Sequence, residues 1–140
     1  MLKTILVATD GSDLSKKAIT AAVDFAASYG SKIVGLSVAE VFPEVFLDYD
    51  LRAIEDDMQQ QAVANANFIA DCAKKAGVDC EVHTATGVRP YQEIIKTAEK
   101  FNCDTIFMAS HGKKGLDKVL LGSETQKVLS HSTIPVLVFR

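Results

Sequence analysis

The sequence predicts an α/β protein built on a doubly wound, five-stranded parallel sheet with helices on both faces. Three observations carry this. Five short apolar runs alternate with segments whose apolar residues recur at helical spacing, giving the order βαβαβαβαβ without a repeat or a linker. Most of these runs are near-continuously apolar, as strands covered on both faces are, rather than alternating like half-exposed ones. The chain has 140 residues, 48% of them hydrophobic, so we expect one domain over 1–140 with a real core.

Residues 3–9, with Ile5, Leu6 and Val7, read as the first strand, and Asp10-Gly11-Ser12-Asp13 as a turn and helix start. Leu14, Ala18, Ala21, Ala22, Phe25, Ala26 and Tyr29 then recur at helical spacing, and Gly30 is a natural stop. Residues 32–39 form the second strand. Residues 40–50 hold Val41, Phe42, Val45, Phe46, Leu47 and Tyr49 around Pro43 without a period, and read as a loop or flap. Helical spacing returns over 51–76 (Ile54, Met58, Ala62, Phe68, Ile69, Cys72, Ala73), and Gly77 ends it. Residues 78–86 alternate as a strand. Pro90 suits the first turn of the next helix, whose stripe is Ile94, Ile95, Ala98 and Phe101. Residues 105–109 are strand four. The following helix starts at Ser123, the expected N-cap, with Gln126 completing a capping-box pattern. Residues 134–139 are strand five.

Composition narrows the function. With 15 Lys+Arg against 18 Asp+Glu the net charge is −3, which gives no reason to expect a nucleic-acid or anionic-membrane partner. Met1 leads directly into the first strand without an apolar signal region, and no run approaches membrane-spanning length, so a cytoplasmic location is expected. Cys72, Cys80 and Cys103 are odd in number and lack C-x-x-C spacing, so they read as reduced, partly buried thiols.

Open α/β sheets bind ligands beyond the carboxyl ends of their strands, where the winding reverses. Sequence alone leaves two common orders, 2-1-3-4-5 and 3-2-1-4-5. In the second, the reversal lies between strands one and four. The loops meeting there would be Thr9-Asp10-Gly11-Ser12 and 110–122, the strand exits richest in glycine and polar residues, a coincidence that favours this order. Strand, glycine-bearing loop and helix N-terminus together make an anion site. Gly112, Gly122 and the amides of Ser123 and Glu124 are candidates to face phosphates. Asp10 is a candidate for ribose hydroxyls or a metal, or equally for an Asx turn. Main-chain groups near Val38, ending strand two, are candidates for a base edge. Lys113, Lys114, Lys118 and Lys127 surround the loop, and His111 reads as a residue that positions backbone. Neither G-x-x-x-x-G-K-[ST], G-x-G-x-x-G nor G-x-S-x-G occurs, and His83, His111 and His131 are too scattered for a recognisable metal site.

On these residues the chain resembles the universal stress protein family. Lys3-Thr4-Ile5-Leu6-Val7-Ala8-Thr9-Asp10-Gly11-Ser12 looks like that family's first strand and turn, and Asp104 through Gly112 like its fourth strand. Leu120-Leu121-Gly122-Ser123 and Ile134-Pro135-Val136-Leu137-Val138 look like its later landmarks. The nucleotide-binding branch carries G-x2-G-x9-G-[ST]. Here the four positions are Ala109, Gly112, Gly122 and Ser123, so alanine replaces the first glycine. Ala109 ends a strand, where β-like backbone accepts it. The resemblance implies the 3-2-1-4-5 sheet, ATP with Mg as ligand, and a homodimer pairing the last strand, from Ile134 to Phe139. It implies a binding shell of Ala8, Thr9, Asp10, Val38, Met108, Ala109, Ser110, Gly112, Lys113, Gly122, Ser123, Glu124 and Thr125, with Asp10 near the ribose, Val38 at adenine, and Gly112, Gly122, Ser123 and Thr125 on the phosphates.

The expected role is an ATP-binding stress-response module that acts by binding. The alternative is a slow ATPase or nucleotidyl-transfer enzyme of the same fold. Hydrolysis asks for a charge-stabilising arginine, and Arg89 is the only arginine preceding a helix near a strand exit. A phospho-receiver lacks its acceptor Asp after strand three, where the chain reads Thr86-Gly87.

Overall fold

A strand buried almost along its whole length takes the centre of the sheet. β1 (Thr4–Thr9) is buried along five of its six residues and pairs in parallel with β2 (Lys32–Glu40) on one side and β4 (Thr105–Ala109) on the other. β3 (Cys80–Gly87) pairs outside β2, and β5 (Val136–Phe139) outside β4. The order is 3-2-1-4-5, all parallel, which settles the alternative left open by the sequence. The computed structural model describes residues 2–41, 51–112 and 120–140. The proposed flap at 40–50 lies outside the described residues beyond Val41, and so do residues 113–119 of the glycine loop.

The connecting helices are α1 (Asp13–Tyr29), α2 (Leu51–Lys75), α3 (Pro90–Lys100) and α4 (Ser123–His131). Period two in the strands divides the core into two layers. Ile5, Val7, Ile33 and Phe107 face α1 and α2, meeting Ala18, Ile19, Ala22, Val23 and Ile69. Leu6, Val34, Leu36, Ile106 and Met108 face the other way, onto Ile94, Ala98 and Val128 of α3 and α4. Small residues on α1 let it lie close to the sheet, and Gly30 ends it in the left-handed conformation, φ 71°. No helix among the described residues is long and apolar enough to cross a membrane.

Three boundaries differ from the sequence reading, each for a local reason. β3 begins at Cys80, not 78, because the Val78 amide donates to Ala73 O (2.9 Å) and so finishes α2. β5 begins at Val136, not 134, because the Ile134 amide turns back to Ser132 Oγ (3.0 Å). The N-cap of α4 is Gly122, not Ser123, and there is no capping box. The Gly122 carbonyl accepts the first helical bond from Gln126 N (3.0 Å), while the Gln126 side chain donates to Leu121 O (2.7 Å). Ser123 is instead the first helical residue.

The three thiols are free, as expected. Cys103 is buried and Cys80 half-buried, and burial pushes both thiols up to about 11.

Candidate functional site

Two strand exits, from β1 and β4, form the floor of the site, and each is locked by its own hydrogen bonds. At the first, Ser12 caps α1 by accepting from Ser15 N (3.2 Å), and Asp10 Oδ1 accepts from Ser12 N (2.9 Å). The Asx-turn reading of Asp10 is therefore correct for that oxygen. Thr9 Oγ1 accepts from Gly11 N (3.1 Å) and shares a hydrogen bond with the buried Ser15 hydroxyl. Gly11 sits at φ 81°, and a Cβ there would be strained and would have to displace the Asn65 side chain from α2.

The second exit is stapled across the loop. Ser110 N donates to Phe139 O (2.7 Å), and Gly122 N donates to Ser110 O (2.7 Å), bringing the two ends of the loop together. Thr125 Oγ1, buried on α4, donates to Ala109 O (2.9 Å) and ties the helix start to the strand end. Gly122 has an ordinary extended backbone, φ −62°. Its requirement is space, since a Cβ would stand 3.2 Å from His111 Cα and 3.3 Å from Ser110 O. At Gly112 a Cβ would overlap Asp10 Oδ2, so this glycine is what lets the β1 carboxylate and the β4 exit approach each other. Ala109 stays in strand conformation and is not among the residues with positive φ, which answers the backbone half of the alanine-for-glycine question.

Between these exits lies a cavity of about 420 Å³, within the range of small-molecule sites. Of the residues expected to form a binding shell, Ala8, Thr9, Asp10, Val38, Met108, Ala109, Gly112, Gly122, Ser123, Glu124 and Thr125 line it. Ser110 does not line it. It is buried, with its amide and carbonyl engaged as above and its Oγ 3.2 Å from His111 Nδ1, so it builds the loop rather than facing the cavity. Lys113 lies outside the described residues. Arg89 caps α3 from its backbone and is not part of the lining.

The sequence reading missed one wall. Met58, Gln61, Ala62 and Asn65 from α2 line the cavity. Met58 and Ala62 belong to a stripe read as core, yet two amides share their helix face at i+3 and i+7, and that mixture was the available signal. His111, expected only to position backbone, also lines the cavity, as do Leu36, Ser37, Ala39, Glu40, Pro90 and Ile94. Three features coincide here: a cavity at the carboxyl ends of the strands, a helix N-terminus opening onto it, and glycines whose missing side chains make room. They suit an anionic ligand such as a phosphate ester.

The model of the universal stress protein family matches residues 1–140. The chain belongs to the universal stress protein family. Universal stress protein YxiE of Bacillus subtilis is 31% identical over 153 residues, covering 100% of both chains. The solved structure of MJ0577 from Methanocaldococcus jannaschii superposes with a TM-score of 0.87 at 29% identity, covering 99% of this chain and 96% of that one. A universal stress protein crystallised in complex with cAMP superposes at 0.74 with 26% identity, covering 99% and 97%. For a universal stress protein, the 3-2-1-4-5 sheet is thus the fold shared with these solved neighbours.

Proposed function

We propose that this universal stress protein is an adenine-nucleotide-binding module whose ligand is ATP, and that occupancy alters its shape or its affinity for a partner. The observation that carries the reading is the β1/β4 cavity, in which the Gly112 and Gly122 gaps meet the first amides of α4. A relative solved with cAMP supports an adenine nucleotide as the class. Main-chain groups at Val38 would hold the adenine, beside apolar Leu36, Met108 and Ile94. Asp10 would accept from the ribose hydroxyls. Gly112 and the amides of Ser123 and Thr125 would hold the phosphates beside Gly122, whose own amide is engaged by Ser110 O, and Mg would accompany them as a counter-charge. Thr125 would act through its amide, since its hydroxyl proton already goes to Ala109 O. We further propose that two copies pair through β5, the sheet's edge strand, where Leu137 is exposed.

Titration calorimetry with Mg-ATP tests the ligand directly. Binding is expected, with Gly122→Val lowering affinity at least about 100-fold, because the side chain would enter the space where Ser110, His111 and a phosphate converge. No heat and no thermal shift with the unaltered protein would sink the reading. Unaltered affinity in the valine variant would detach the loop from it.

A further inference from the structure

We propose that the Glu124 carboxylate sets the charge tolerance of the nucleotide site, so that each added phosphate is penalised by this side chain. The proposal rests on the nucleotide reading above and concerns a side chain that reading leaves without a role. Glu124 is the second residue of α4 and lines the cavity beside Ser123. It therefore puts a negative charge at the helix end whose amides attract anions.

The carboxylate is held there. Its Oε2 accepts from Tyr91 N at 2.8 Å, and its Oε1 lies 3.6 Å from Lys127 Nζ. The need for this bond is visible in α3. Pro90 at its start has no N–H, and Arg89 gives no side-chain cap, so Tyr91 carries an early orphan donor that a carboxylate from α4 satisfies. Tyr91 is fixed in turn, with Lys127 Nζ 5.7 Å from its ring centre and the His131 ring 5.0 Å away. Swinging the carboxylate out of the wall would break a charge-assisted hydrogen bond.

The remaining charge balance makes this side chain matter. The other titratable residues of the described lining are Asp10, Glu40 and His111, and no lysine or arginine lines the cavity among the described residues. The walls from α2 and α3 contribute only uncharged side chains. Among the described residues, attraction from the α4 amides thus competes with carboxylates in the same wall, of which Glu124 has only Lys127 at 3.6 Å against it, and the competition sharpens as the ligand gains charge.

The test is to measure dissociation constants for AMP, ADP and ATP, metal-free and at low salt, for the unaltered protein and for Glu124→Gln. Glutamine keeps an oxygen to accept from Tyr91 N and removes the charge. Its preference for ATP over AMP is expected to rise about three- to tenfold, and to shrink towards the unaltered value at high salt. A purely structural role would change all three affinities together and leave that ratio in place. Should Glu124→Gln fail to fold, Glu124→Met carries the same expectation. Binding of the three nucleotides with a ratio unmoved by the substitution overturns the assignment to Glu124 alone. Failure of the unaltered protein to bind any of them overturns the nucleotide reading as well.

Discussion

Glu81 illustrates how a single carboxylate acquires a pH-dependent role away from the site. Its Oε2 accepts from Lys32 Nζ (2.8 Å) and its Oε1 lies 2.9 Å from His83 Nε2. These hydrogen bonds, Lys32 first, hold its carboxyl below the usual 4.5, and the same contact raises Lys32 above 10.5. A folded-state value below the unfolded one means the contribution is present above about pH 4.5 and is lost as pH falls through the lowered value. For Lys32 the direction reverses, with the contribution present below 10.5 and lost as pH rises through the raised value. Both side chains are more than a third open to solvent, so screening keeps the effect small. Comparing melting temperatures of the unaltered protein and Glu81→Gln should give a difference at pH 6 that narrows towards pH 3. A difference independent of pH would mean that the charge contributes nothing.

At the scale of elements, the site depends on how α4 is fastened to the end of β4. The fastening is short-range and polar: Gly122 N to Ser110 O, and Thr125 Oγ1 to Ala109 O. Thr125 is 3% exposed, so losing its hydroxyl removes a donor from a carbonyl that water reaches poorly. Thr125→Val, nearly equal in shape, is expected to destabilise the fold by about 1–3 kcal/mol and to weaken nucleotide binding as the helix N-terminus loosens. Urea unfolding checks the first effect and calorimetry the second. An unchanged unfolding midpoint would show that the hydroxyl does not hold the helix. The α3–α4 contact is a second polar fastening, in which one helix supplies a carboxylate to another helix's open N-terminus.

For the whole molecule, β5 leaves one edge of the sheet unpaired among the described residues. Exposed parallel edges with apolar side chains invite pairing, which is the physical case for a dimer. Sedimentation equilibrium should give twice the chain mass of 15.1 kDa, and Leu137→Lys should shift the protein towards the monomer. A single 15.1 kDa species at micromolar concentration would refute β5 pairing as a stable interface. The other edge, β3, carries the Lys32–Glu81–His83 charges near it, a composition that discourages the same pairing.

The order and kind of elements were legible in the chain because period and punctuation are local. Ile5 to Val7 reads as a buried strand, Gly30 and Gly77 as stops, and Pro90 as a helix start, each from its neighbours alone. Much of the cavity lining was legible too, since it lies at strand ends marked by Asp10, Gly112 and Gly122. Tertiary structure decided what depends on distant partners. Gly122 displaces Ser123 as the cap because the backbone of residues 110 and 111 approaches it. Ser110 turns out to be a staple because Phe139 and Gly122 claim its main chain. Gln61 and Asn65 join the site because α2, packed on β2 and β3, brings Asn65 up to Gly11, and Glu124 meets Tyr91 only because two helices 33 positions apart begin side by side. Local preferences act over a few residues. Which helix end faces which strand end is set by the winding of the sheet.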